Sequence, residues 1–317
     1  MLLFGLVHDS VVSFPSSVEN FFAPLPPLCT NKRHIMRIVI KGESDQCAAF
    51  TATLIVDRIN AFGPTKDRPF VLGLPTGSTP IKTYQKLIQL FREGRVSFKH
   101  VVTFNMDEYV GLPENHPESY HSFMKQHLFA FIDIAPENIN LPNGNAPDLV
   151  AECQRYEEKI AALGGIELFL GGVGSDGHIA FNEPGSSLSS RTSVKSLNNE
   201  TIAANARFFD NDISKVPTMA LTVGVGTIMD ARQVVIVATG AGKALAVAKW
   251  VEESVSHAFP ISALQLHRNC VLVLDEEATL ELKVKTVKYF KGLSLREDEL
   301  AKRQRHAKEL AQRVAKL

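Results

Sequence analysis

The sequence predicts an α/β protein built on a mainly parallel sheet with helices on both faces. Two patterns carry this reading: short apolar, β-branched runs alternate with longer stretches of helical period, and unusual polar residues gather where the runs end. A third is size, because 317 residues, 45% hydrophobic and 21% charged, can bury such a sheet and match neither a disordered nor a collagen-like chain.

Residues 1–35 are rich in Ser, Pro, Phe and Asn and hold no sustained period, so they read as a disordered N-terminal extension. Their apolar start lacks a basic flank and ends at His8-Asp9, so no secretory signal is expected and the protein is placed in the cytoplasm. The folded domain is expected over 36–293. RIVI (37–40) reads as its first strand and 44–62 as a helix. FVLGLP (70–75) is a buried strand, TGSTP a turn, and the chain is helical from there to about Phe91. HVVTFNM (100–106), IELFLGGV (166–173), QVVIVAT (233–239) and CVLVLD (270–275) are further strands. Helical stretches lie near 118–130, 149–163, 242–254 and 276–290. In 294–317, Leu300, Ala307 and Val314 recur seven apart among Arg and Lys, an amphipathic basic tail that packs on its own domain or on a partner.

Lys plus Arg and Asp plus Glu balance at 34 each, which speaks against a nucleic-acid binder, and no apolar run reaches membrane-spanning length. Cys29, Cys47, Cys153 and Cys270 have no metal-ligand spacing and read as reduced thiols, so no metal is expected.

Ligands of parallel sheets sit beyond the carboxyl ends of the strands, so three turns stand out. In LPTGSTP, Gly77 permits close backbone approach while Ser78 and Thr79 bring hydroxyls to a helix start; the stretch reads as a phosphate site or as an ordinary capped turn. GVGSDG (172–177) has the GxGxxG form, but Pro184 and Gly185 break any helix behind it, so a dinucleotide site is not expected. The same loop holds Asp176, His178 and Glu183, a trio suited to proton shuttling on a sugar ring oxygen, or else a solvated turn. Asp107, at the end of an apolar strand, is a candidate general base or a structural cap. Alternation turns Glu108 away from any ligand that Asp107 faces.

LPTGSTP, VVTFNMDEYVGLP, HPESYHSFM, GGVGSDGHIAFNEPGSSL, ARFFDN and VPTMALTVGVGTIMDA together resemble the glucosamine-6-phosphate deaminases, also called glucosamine-6-phosphate isomerases, over about 36–293. The stretches at 215–231 and 278–293 look more like eukaryotic members than bacterial ones. The resemblance implies a Rossmann-like three-layer α/β sandwich and conversion of glucosamine 6-phosphate and water to fructose 6-phosphate and ammonia, without a metal or redox cofactor. It implies Asp107 as general base, His178 as the ring-opening residue, and Asp176 and Glu183 as its two partners. It also implies that Gly77, Ser78, Thr79, Arg207 and Lys243 hold the sugar phosphate. A homo-oligomer is expected, a hexamer as in bacterial relatives. An effector, N-acetylglucosamine 6-phosphate, would meet Ser186, Ser193, Lys195, Ser196 and Tyr289, with Ser193 standing where the family pattern has Arg. Phe259-Pro260 likewise replaces an expected Trp-containing segment. A 6-phosphogluconolactonase or pentose-phosphate isomerase on a related fold, or a non-catalytic sugar-phosphate sensor, are the alternatives.

Overall fold

The computed structural model describes residues 36–296, with 299 and 303. The N-terminal extension and most of the basic tail fall outside the described residues. The described residues all belong to one compact unit.

The elements alternate from the start: β1 (Arg37–Lys41), α1 (Ser44–Phe62), β2 (Phe70–Leu74), α2 (Ser78–Arg92) and β3 (Val101–Asn105). One residue later comes β4 (Asp107–Tyr109), then α3 (Tyr120–His127), β5 (Ile139–Asn140), α4 (Leu149–Ala162) and β6 (Leu168–Gly171). The rest comprises β7 (Ser193–Ser196), α5 (Asn199–Asn205), β8 (Met219–Thr222), α6 (Val225–Met229), β9 (Val234–Ala238), α7 (Ala244–Glu252) and β10 (Cys270–Asp275), succeeded by a helix beginning at 284.

Seven strands form one parallel sheet in the order β1-β10-β9-β6-β2-β3-β5. Their alternation fills a separate core on each face. Leu72, Leu168, Leu170, Val235 and Val273 pack with α1 and α2 residues such as Ile55, Tyr84 and Leu87. Val71, Phe169, Ile236 and Leu272 pack with Tyr156 of α4, Ile228 of α6 and Trp250 of α7. The three-layer sandwich expected from apolar strands between helices is therefore present. From β2 the chain proceeds toward β3 and β5, whereas from β6 it proceeds toward β9 and β10, so the two connections diverge between neighbouring strands. Such a divergence opens a crevice at the strand ends.

Three features differ from the sequence expectation. A second, antiparallel sheet of order β4-β8-β7 was not legible, because its strands are only three or four residues long and β7 is a polar SVKS. The helix expected over 276–290 is interrupted: Glu277–Thr279 is a single 3-10 turn. The helix proper starts at 284, where Glu252 accepts the Lys283 N–H at 2.9 Å and the Thr286 hydroxyl at 2.6 Å. Gly77 is not needed for close approach, since a Cβ there would meet nothing within 4 Å; it is needed for its φ of +98°.

One buried histidine makes this fold sensitive to acid. His267, 9% exposed, places Nε2 2.8 Å from the Ala231 carbonyl while Nδ1 accepts the Asn269 N–H at 3.0 Å, so the ring is held neutral. Burial lowers its pKa from 6.5 against the opposing pull of the Ala231 carbonyl. The unfolded chain therefore gains a proton first, and stability contributed by this site is intact above pH 6.5 and lost as pH falls below it, at up to about 1.4 kcal/mol per pH unit. Chemical denaturation of wild type and His267→Gln between pH 7.5 and 5 should show the steeper loss in the wild type. Parallel curves would contradict this.

Candidate active site

The crevice between the diverging connections is a cavity of about 420 Å³, lined from the ends of β2, β3, β6 and β9 and closed on one side by α5. At the end of β2, the positive φ of Gly77 turns the chain into α2, whose first residues are Ser78 and Thr79. No side chain caps this helix, so its leading N–H groups are left open to the cavity that Gly77, Ser78 and Thr79 line. The preceding loop is pinned by the Tyr84 hydroxyl, which donates to the Pro75 carbonyl at 2.5 Å.

From β3, Met106 is clipped on both sides: its N–H donates to Leu74 O at 3.0 Å and its carbonyl accepts Val223 N–H at 2.7 Å. Asp107 comes next in β4, paired with Thr222, 7% exposed and lining the cavity. Burial, and then the neighbouring Glu108 charge, push its carboxyl up to about 8. Glu108 points elsewhere. Its carboxylate accepts the N–H groups of Tyr109 at 2.8 Å, Tyr120 at 3.1 Å and His121 at 3.1 Å, and lies 2.8 Å from His121 Nδ1. It anchors the start of α3, and Asp107 alone of the pair faces the cavity.

At the end of β6, Asp176 Oδ1 lies 2.7 Å from His178 Nδ1 and accepts the His178 N–H at 3.1 Å. Burial opposes the Asp176 charge, yet the donors of His178 outweigh it and hold the carboxyl below its ordinary value. A Cβ on Gly174 would fall 2.2 Å from His178 Nδ1, so the imidazole occupies the space of the missing side chain. The Glu183 Oε1 accepts the Thr201 hydroxyl at 2.5 Å and the Asn198 N–H at 3.4 Å, which fixes α5.

Arg207 and Lys243 complete the wall. Burial lowers the Lys243 pKa and Arg207 adds repulsion, while Asp176 opposes both. The Arg207 guanidinium lies 4.7 Å above the Phe208 ring. Two lining residues carried no assignment from sequence. Tyr120 belongs to HPESY and is half-buried, with its phenol interacting with Tyr109 and Thr76. Thr83 has a buried hydroxyl with no partner among the described residues. Both read as ordinary helix residues in the sequence, so only the folded chain reveals them.

The five expected effector positions lie outside this cavity. Ser193, Lys195 and Ser196 belong to β7, and the Ser186 N–H donates to Glu183 O at 3.0 Å. Tyr289 is 52% exposed on the terminal helix.

Comparison with known proteins gives one answer. The family model described as glucosamine-6-phosphate isomerases/6-phosphogluconolactonase matches residues 42–273. Glucosamine-6-phosphate deaminases of Aeromonas hydrophila and Haemophilus influenzae are 62% and 63% identical over 258 residues, spanning 81% of this chain and 97% and 96% of theirs. A solved monomeric glucosamine-6-phosphate deaminase is 41% identical with a TM-score of 0.74, over 78% of this chain and all of its own. The 6-phosphogluconolactonase of Trypanosoma cruzi, at 22% identity and a TM-score of 0.61, shares the fold over 78% of this chain and 97% of its own. With most of its length matched by that model and its sequence more than half identical to two such relatives, the chain belongs to the glucosamine-6-phosphate isomerase/6-phosphogluconolactonase family, among the deaminases.

Proposed function

We propose that this protein converts glucosamine 6-phosphate and water to fructose 6-phosphate and ammonia. The observation that carries the reading is a buried carboxyl, Asp107, in one small cavity with the uncapped start of α2 and the cations Arg207 and Lys243. The open N–H groups and the two cations suit the phosphate, and Gly77, Ser78 and Thr79 supply the backbone and hydroxyl donors. Anchoring that end presents the amino-sugar carbons to the acidic side chains.

The pyranose must open first. His178, oriented by Asp176, moves a proton from the anomeric hydroxyl to the ring oxygen as the C1–O5 bond breaks, and an aldehyde forms at C1. The family resemblance adds Glu183 as a second partner of His178, and in this role it also steadies the α5 wall through Thr201. The C1 carbonyl acidifies the C2 hydrogen. Asp107 removes it, giving an enolamine, and the proton returns to C1. The resulting C2 iminium adds water and expels ammonia. No step calls on a metal or redox cofactor.

The nearest enzyme alternatives act on sugar phosphates without releasing ammonia, so an ammonia-release assay separates them. A sensor would bind without turnover. The eukaryotic character of the chain rests on the stretches at 215–231 and 278–293 alone, against its similarity to the two bacterial deaminases. A homo-oligomer is the family's expected assembly, a hexamer by bacterial analogy. The free, buried Cys47, Cys153 and Cys270 fit a reducing cytoplasm.

Asp107→Asn should lower ammonia release by about 10³-fold while phosphate-ligand affinity stays within about twofold, since an amide keeps the shape but cannot take the proton. Full turnover in that variant would remove Asp107 from the mechanism. Because the base works only when ionised, kcat/KM of the free enzyme should fall on acidification through an Asp107 pKa of about 8, and a flat profile down to pH 5 would exclude the raised value. With Ser193 in place of Arg, the effector site lacks a bidentate phosphate partner, so N-acetylglucosamine 6-phosphate should change rate or affinity by less than about twofold. A large activation measured in the same assay would refute that expectation.

A further inference from the structure

The loop that carries Asp176 and His178 is braced by a segment that the proposed reaction leaves unused. Ile261 donates its N–H to Gly177 O at 3.0 Å, and Gly185 donates its N–H to His257 O at 2.8 Å. The loop is therefore gripped at two points, one between the two active residues and one beyond Glu183. The first grip also has a side-chain component. A Cβ on Gly177 would fall 2.6 Å from Cδ1 of Phe259 and 3.1 Å from its Cβ, so the Phe259 side chain lies directly on the Gly177 backbone. Gly177 has a φ of +84°, which reverses the chain so that Asp176 and His178 meet.

The brace is itself stiff. Ser262 Oγ accepts the Ser256 N–H at 2.8 Å and donates to Ser256 O at 2.9 Å, and the Phe259 N–H donates to the same carbonyl at 3.1 Å. Pro260 then opens the 3-10 helix Pro260–Leu266, which is buried as far as Leu264. Phe259 is half-buried, with Lys249 Nζ 5.9 Å from its ring, so its outer edge has room.

We propose that Phe259 is a positioning residue for ring opening: packed on Gly177 and fixed by the Ser256–Ser262 turn, it sets the orientation of the Asp176–His178 pair. The proposal rests on the deaminase reading and adds to it a residue outside the cavity lining. Proton transfer to a ring oxygen needs the imidazole within hydrogen-bond reach, and a loop holding Gly172, Gly174 and Gly177 has little stiffness of its own. Without the aromatic side chain, one side of the Gly177 peptide loses its support. Asp107 is held independently, by Met106 and the β4–β8 pairing, so abstraction of the C2 hydrogen should not feel the change.

The test compares wild type, Phe259→Ala and Phe259→Trp on two substrates: glucosamine 6-phosphate, and its 4,5-dideoxy analogue, which lacks both hydroxyls able to close a furanose or a pyranose. For Phe259→Ala, kcat on glucosamine 6-phosphate should fall about 10-fold with KM within about twofold, because displacement of a catalytic group affects rate more than anchoring. On the open-chain analogue its kcat should stay within about twofold of wild type, and Phe259→Trp, which restores an aromatic surface, should recover most of the lost rate. Equal losses on both substrates, or no loss on either, would overturn the proposal. If Phe259→Ala shows no cooperative melting, Phe259→Leu is read the same way and should give a smaller loss with the same substrate selectivity. Wild-type protein that releases ammonia from neither substrate would instead sink the deaminase reading on which the proposal stands.

Discussion

A carboxyl group held away from water at the tip of a parallel strand is the constraint around which this molecule is arranged. Taking Asp107 out of solvent disfavours its charge, and the backbone must hold it there without supplying the donors that would lower its pKa again. The structure does this through its neighbours. Met106 is locked to β2 and to Val223, and β4 pairs with β8, so the side chain is fixed by main-chain bonds that do not touch its oxygens. The divergence of the chain between β2 and β6 then sets the positive end of α2 in the same crevice. One sheet thus provides a site for an anion and a site for a proton, a short distance apart.

Six of the seven strands of the main sheet were legible because strands covered on both faces must be apolar along nearly their whole length, as FVLGL, VVIVA and CVLVLD are, whereas β5, only two residues long, leaves no such run. The second sheet obeys no such rule. β7 is half-exposed, and Asp107 finds its partner Thr222 far along the chain, so neither strand leaves a local pattern. The candidate residues divide in the same way. Asp107, Asp176 and His178 stand at strand ends where chemistry-bearing side chains are conspicuous, whereas Arg207 and Lys243 look like any other surface charges until folding turns them toward the α2 terminus. The Glu183 contact with Thr201 joins a loop to α5 and has no sequence signature at all.

The GVGSDG run shows how one spacing can serve unrelated purposes. In a dinucleotide site the glycines make room for a pyrophosphate beside a helix. Here no helix succeeds the run, and the room is taken by the protein itself: the His178 imidazole occupies the face of Gly174, and Phe259 occupies the face of Gly177. What identifies the loop is therefore the occupant of each gap, which lies partly outside the motif.

The opposite fates of Asp107 and Glu108 bear on how the family's sequences can change in length. The two acids are adjacent, yet one lines the cavity while the other secures the beginning of α3. Inserting or deleting a single residue between Asn105 and Asp107 would exchange which acid meets each environment. The segment after β4 holds the same register, because Val110 donates its N–H to Met219 O at 3.0 Å and Gly111 donates its N–H to Gly144 O at 3.1 Å.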